Sequence, residues 1–454
     1  MTEPAAHRSV LPCGGGDTTR EAQVTFRTPY SRAVIAGFIA VIGVVGIAAP
    51  AVTAPVKWKP QGQLDLDYGS QVQVAGGAAT GERAESKLFY TPDNRWWAVL
   101  GTSSESEGAG VYLYEHVDHT WVARFKLPSS DPWMKADTLF ENPSGLFISL
   151  RDQKGTSSGN PRMSLLYRYE YNGEGTWTAL STATPITTGN PEVLTIAHDG
   201  LDRVWATWEE ASRIKVANTQ PGGTAFPTPT FLPIGTPTAK VNGDDVSAIT
   251  AFSGADGSRI GVVWSDQITR KFGFAWRDDD EPIGTWHVED AYGNGVGGCD
   301  AGRLCSDDHI KLAVNGNQVY AAVKTSHNDS SSRDPNDPLI VVLRRSDDGS
   351  WESFPVSLVS DNASRPILTL NPEADLMHVF ANYKGVHVWQ SSLSAPLFTV
   401  ISRSRWTAGG TGNPTSTRQV VGAASGNIVL TSHRGNTDYW HNEYLPETPP
   451  PPPE

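Results

Sequence analysis

Two adjacent carboxylates with an imidazole, and an ammonium with a second imidazole a short distance on, make the densest group of proton-transferring side chains in this sequence. They lie in Ser306-Asp307-Asp308-His309 and Lys324-Thr325-Ser326-His327. Groups of these types held in one small volume perturb one another's protonation, the first requirement of acid–base chemistry. A glycoside hydrolase needs one carboxyl as acid and a second as nucleophile or base; Asp308 and Asp245 are the pair available for those roles. A polysaccharide lyase would instead use His309 or His327 as base, beside a uronate whose charge Arg365 or Lys324 offsets. Each has a structural alternative. An aspartate just before a strand often caps a turn, and Asp244-Asp245 fits a repeated turn of that kind.

Short apolar strands recur at a near-constant interval and must position these groups. Their centres fall near Ala98, Phe147, Trp205, Val262, Tyr320, Val379 and Val429, with steps of 49 to 59 residues. That period, with several strands in each and no amphipathic helical stripe, predicts an all-β, seven-bladed β-propeller. Blade five reads in full as Ile310–Val314, Val319–Lys324, Leu339–Arg344 and Trp351–Val356, each bounded by Gly, Asn, Asp or Pro. A turn followed by tryptophan opens the outer strand at Trp121, Trp177, Trp286 and Trp351, where the indole can pack between blades. Blade three lacks such a tryptophan, leaving Phe226 or Phe231 as substitute. The last repeat offers only Arg418–Ala423, Asn427–Ser432 and Tyr439–Tyr444. A fourth strand from Val56–Gly76 would close the ring and leave no open sheet edge.

In a blade the start of the innermost strand and the end of its neighbour share one face near the axis. Lys135, Asp137, Glu192, Asp244, Asp245, Asp307–His309, Arg365 and Arg418 are expected at inner-strand starts. Arg151, Glu209, Asp266, Lys324, His327, Asn382 and His433 are expected at second-strand ends. The candidate catalytic set is Asp308, His309, Asp245 and His327; Asp244, Asp307, Lys324, Arg365, Arg418 and His433 are the candidate substrate contacts. His378 falls mid-strand and is expected in the core, and His287 on a blade surface. Glycine runs without a following helix do not make a phosphate loop, and no Gly-x-Ser-x-Gly elbow occurs. No cofactor or metal is required; calcium at Asp278–Asp280 is the one metal alternative, against a simple solvated turn.

Ahead of the repeats, Arg20, Arg27 and Arg32 precede the uncharged stretch Ala33–Ala49 and the small residues Ala49-Pro50-Ala51. Residues 1–54 therefore read as a secretory signal or an N-terminal anchor, 55–445 as the propeller, and 446–454 as a disordered proline-rich tail. Both readings of the leader put the propeller outside the cytoplasm, secreted or at the cell surface. The net charge of −13 offers no basic footprint for nucleic acid. Cys299 and Cys305, alone after the leader, suit a local disulfide in an oxidising compartment better than a zinc site.

Ser346-Asp347-Asp348-Gly349-Ser350-Trp351 is like a shortened Asp box, and Asp307-Asp308-His309 with His327 is similar to the aspartate–histidine element of lyase-like propellers. On these residues the chain resembles the secreted sialidase-like propellers with Asp-box or BNR-type repeats, over roughly residues 60–445. The resemblance implies a structural role for the box and a carbohydrate-active enzyme, hydrolase or lyase, acting on an extracellular or cell-wall glycan; a monomer is expected. The alternative is a non-catalytic propeller that presents the same face to a glycan or protein. For the exported chain, intact mass with and without alkylation should find Cys299 and Cys305 oxidised to each other; two free thiols would remove the disulfide as a brace for the loop beside Asp307–His309.

Overall fold

The computed structural model describes residues 63–67 and 79–444, with interruptions at 82, 104, 107, 129–134, 153–162, 190, 237, 255–256, 330–332, 400–402, 408–409 and 434–437. The expected leader and proline-rich tail lie outside the described residues. Within them the strands form seven antiparallel sheets that follow one another along the chain, a seven-bladed β-propeller. Blades one to six span 88–126, 136–187, 194–231, 247–292, 310–358 and 364–405. Blade seven combines Thr411–Thr415, Asn427–His433 and Asp438–Tyr444, and Gln63–Asp67 pairs antiparallel with the last of these.

Blade five shows how composition becomes structure. Its strands are Ile310–Asn315, Gln318–Lys324, Pro338–Arg345 and Trp351–Leu358. The central two are buried on both faces, and accordingly read as nearly continuous apolar runs. The Asp-box-like turn returns the chain between the outer two: Ser346 N–H donates to Ser350 O at 2.9 Å, and Gly349 adopts φ +85°. Asp348 Oδ1 accepts from Ser350 N–H and Oγ–H at 2.9 and 2.6 Å, so the box works here as a turn.

The turn-linked tryptophans reach back onto the preceding blade. Trp177 meets Trp97 edge-on at 5.2 Å, Trp286 meets Trp205 at 5.8 Å, and Trp351 meets Phe274 at 5.3 Å. In blade three Phe226 packs against an apolar cluster that joins Leu139, Phe147 and Leu166 of blade two to Leu194, Val204 and Trp208 of blade three. Phe231 is exposed and lies under Arg213.

One strand expectation fails. The innermost strand of blade seven is Thr411–Thr415, and Arg418–Ala423 runs on beyond it. The true strand contains Gly412, Pro414 and Asn413 at φ +56° and carries a register shift. Its residues have low strand propensity, which drew the sequence pattern to Val420 and Val421 instead. The inter-blade tryptophans set the next expectation. Trp351→Ala removes the contact with Phe274 and the Nε1–H bond to Glu289. Chemical denaturation should show a loss of roughly 2–4 kcal/mol, whereas Trp351→Phe should recover most of it.

Candidate functional site at the ring axis

Register brings the expected residues together. Lys324 N–H donates to His309 O at 3.2 Å, Arg151 N–H to Lys135 O at 3.0 Å, and Thr411 lies opposite His433. The space enclosed by these strand ends is filled by the chain's own approach to blade one. Thr80 Oγ–H bonds Asn413 O at 2.5 Å in blade seven. Arg83, in the left-handed region at φ +41°, then reaches blades three, four and five. Lys311, from the innermost strand of blade five, donates to Ala84 O at 3.3 Å, Glu85 O at 2.8 Å and Ser86 Oγ. Ser86 N–H bonds Asp137 Oδ1 at 2.7 Å in blade two, and Lys87 Nζ bonds Ala136 O at 3.1 Å. Residues 83–87 thus cross the axis and touch most of the ring.

The sharpest cluster lies against this segment. His309 Nδ1 is 2.5 Å from both Asp307 Oδ1 and Asp308 Oδ1. Lys324 pairs with Asp307, which Ser326 Oγ–H also approaches at 3.4 Å, and Arg83 pairs with Asp308. Arg83 further holds Glu192 at 3.2 Å and Asp244 at 3.6 Å. Burial works against ionised Asp307, yet the hydrogen bond from His309 and the nearby cations hold it well below the usual carboxylate range. Burial dominates at Asp308 and pushes it up to about 6, despite His309 and Arg83. Burial disfavours the His309 cation, but the two carboxylates overcome it and raise that pKa. Across the same face, burial and the charges of Asp245, Glu210 and Glu192 push Glu209 up to about 7.

The remaining expected residues separate from this cluster. Asp245 closes a turn, accepting from Ser265 Oγ–H at 2.8 Å, Gln267 N–H at 3.1 Å and Asn242 N–H at 2.7 Å. Two backbone N–H groups and the Ser265 hydroxyl thus converge on its carboxylate, a turn-cap arrangement. His327 lies behind the cluster: its Nδ1 is 3.0 Å from Pro338 O and its Nε2 3.9 Å from Cys299 Sγ, and burial lowers its pKa. Arg418, displaced by the register of blade seven, pairs with Asp137 and donates to Ile196 O at 2.6 Å. It lines a central cavity of about 170 Å³ with Lys311. His433 packs against Gly410. Arg365, at φ +55° at the start of its strand, makes no ion pair among the described residues. An open depression shared by all of them does not form: Asp307, Asp308, His309 and Lys324 are each only 7–8% exposed. Glu192 and Asp244 are the accessible carboxylates, with side chains 39% and 60% exposed.

Metal chemistry fits this cluster poorly, because Arg83 and Lys324 already neutralise its carboxylates. Cys299 and Cys305 form a disulfide with Cα atoms 6.2 Å apart, which removes the thiolates a zinc ion would need. The acids at Asp278–Asp280 diverge: Asp278 pairs with Arg259 at 2.6 Å, Asp279 accepts from Gly200 N–H at 2.8 Å, and Asp280 faces solvent. They make no calcium cage. His287 is exposed and stacks on Trp276 at 4.3 Å; His378 is buried, and burial lowers its pKa to about 4. Sequence reasoning missed Arg83 and Lys311. The alternating charges Arg83, Glu85 and Lys87 just before the first apolar strand were the available signal.

No protein-family model and no curated protein matches the chain. Among solved structures it is similar to an α-L-arabinanase of Penicillium chrysogenum complexed with arabinobiose, at 11% identity over 74% of this chain and 100% of that one, with a TM-score of 0.43. It is similar to the GH93 α-L-arabinofuranosidase of Fusarium graminearum with arabinobiose, at 9% identity over 74% and 98%, TM-score 0.44. Kuenenia stuttgartiensis hydrazine synthase is similar at 7% identity over 81% and 96%, TM-score 0.48. No helix among the described residues is long and apolar enough to cross a membrane.

The cluster has a pH signature. Asp308, with its pKa raised in the fold, is protonated when folded and ionised when unfolded between the ordinary aspartate value near 3.9 and about 6. Its contribution to stability is therefore complete at low pH and falls as pH rises through that window. Asp307 acts oppositely: its contribution is present above the unfolded value and lost as pH falls. His309, raised, loses its contribution only above the ordinary histidine value. Subtracting the thermal midpoints of Asp308→Asn from those of the native chain cancels the groups that do not touch Asp308, and leaves Asp308 with its partners Asp307 and His309. The difference should decline between pH 4 and 6; a flat difference would contradict a raised Asp308.

Proposed function

We propose that this chain is an extracytoplasmic glycoside hydrolase of the propeller class, with Asp308 as proton donor and Glu192 as its partner carboxylate across Arg83. The supporting observation is the opposed titration of Asp307 and Asp308, neighbours that share His309 Nδ1 at 2.5 Å. Environments that push paired carboxyls apart are how acid and base roles are divided at neutral pH. Asp308 is held neutral below about pH 6 and can protonate a leaving glycosidic oxygen. Asp307 stays ionised and keeps His309 cationic. A single guanidinium between Asp308 and Glu192 suits the separation of about 5–9.5 Å that paired-carboxylate glycosidases use. Glu192 replaces Asp245, whose oxygens cap a turn. The disulfide and the apolar leader support an oxidising, extracytoplasmic setting.

A second reading is favoured by one observation: Arg83 covers Asp308, while Glu192 and Asp244 stay accessible on the surface. On that reading the face binds a glycan without cleaving it. The purified chain should be assayed on neutral and uronate-containing polysaccharides for new reducing ends and for the absorbance of unsaturated products, with binding measured in parallel. Release of reducing ends, with kcat lowered at least 100-fold in Asp308→Asn and Glu192→Gln at near-native thermal midpoints, is the expected result. Binding without turnover would select the second reading. Unsaturated products would make it a lyase, and neither binding nor turnover would remove the glycan assignment.

A further inference from the structure

Three imidazoles and a carboxylate converge at the seam between blades seven and one, far in sequence from the axial cluster. His116 is the penultimate residue of the strand Gly110–Val117, and His119 occupies the tight turn that follows. His441 and Glu443 stand two apart on the strand Asp438–Tyr444 and so share one face. His116 Nε2 lies 3.0 Å and His441 Nε2 3.3 Å from Glu443 Oε2, while His119 Nδ1 meets the other carboxylate oxygen. The first two imidazoles are nearly perpendicular, with ring centres 5.1 Å apart.

His119 Nδ1 hydrogen-bonds one oxygen of Glu443, and His116 and His441 crowd the other. His116 Nε2 and Glu443 Oε2 are sealed from solvent and, at their 3.0 Å approach, lack hydrogen-bond alignment. The ligand-type atoms of His116, His441 and Glu443 all lie within 4.8 Å of one another. Around a tetrahedral ion with bonds of about 2.0–2.1 Å, ligand atoms stand roughly 3.3 Å apart, close to the two separations observed. Nitrogen-rich sets with one carboxylate suit zinc and its first-row neighbours, and not calcium or magnesium, which take oxygen.

We propose that His116, His441 and Glu443 bind a divalent transition-metal ion, with zinc the best fit, and that His119, exposed and standing outside that set of mutually close atoms, turns inward to close the fourth position. His119 is the accessible member, its side chain 62% exposed, so the ion enters past it. Four protein ligands leave no open coordination position, which makes this a structural site. It ties the third strand of blade seven to the outer hairpin of blade one.

The test uses the chain purified without a polyhistidine tag, stripped with chelator and dialysed against zinc. Elemental analysis should find one zinc per chain, and the thermal midpoint should rise by several degrees. Cobalt substitution should give the visible bands of a tetrahedral site. Glu443→Gln and His116→Gln should abolish all three, and His119→Ala should weaken zinc binding at least tenfold without lowering the midpoint of the metal-free chain. Absence of bound zinc, nickel or copper in the native chain, or binding unchanged by Glu443→Gln and by His119→Ala, would overturn the proposal.

Discussion

The ammonium of Lys311, fully buried on the innermost strand of blade five, is the contact on which the axial structure depends. It has three N–H donors, and the approach to blade one offers it two carbonyls and a hydroxyl. Burial, followed by repulsion from Arg418, lowers its pKa to about 7, so the match is needed to keep the charge there at all. Small side chains alone would leave the carbonyls of Ala84 and Glu85 without this donor at the centre of the ring. The lysine satisfies those carbonyls and fixes where the segment crosses.

Once that segment is fixed, the chemistry of the upper face follows. Arg83 is forced into a left-handed backbone conformation, a strain that persists only where surrounding contacts over-determine it. Its guanidinium then lands among Glu192, Asp244 and Asp308, and every carboxylate there acquires a cation. Desolvating such groups costs as much as their attraction returns, so the network specifies geometry more than it adds stability. What it leaves is an asymmetry. Asp307 has Lys324 and His309, whereas burial outweighs the help that Asp308 receives from His309 and Arg83.

The period of apolar strands made the ring legible, because a four-stranded blade repeats wherever its core repeats. The tryptophans at Trp177, Trp286 and Trp351 were legible for the same reason: each follows a turn, and a turn-linked indole has one neighbouring blade to fill. Inner-strand starts and second-strand ends do share a face, as antiparallel pairing demands. Two things were hidden. The strand Thr411–Thr415 is set by its neighbours and not by its own propensity, so Arg418 was placed one element too early. The crossing of the axis by residues 83–87 is a long-range event, with Lys311 more than 220 residues from its acceptors. Local pattern carries no trace of such a partner. Asp245 was ambiguous in sequence; in the structure its two oxygens accept three hydrogen bonds around one turn.

The seam between blades seven and one departs from the others in a way that follows from ring closure. At three other seams an outer-strand tryptophan packs on Trp or Phe of the preceding blade, and both blades come from adjacent sequence. At the closing seam Trp121 meets His441 at 6.2 Å and His116 at 5.0 Å. Imidazoles occupy an aromatic position there, and Glu443 supplies the charge they face. Blades seven and one are separated by nearly the whole chain, so bringing them together costs more loop-closure entropy than at any adjacent pair. Apolar packing is non-directional and would tolerate a shifted register at this seam. Directional groups at His116, His441 and Glu443 do not, since their separations are satisfied in one register alone. The polar seam is therefore the place where a ring of similar blades is told which two ends to join.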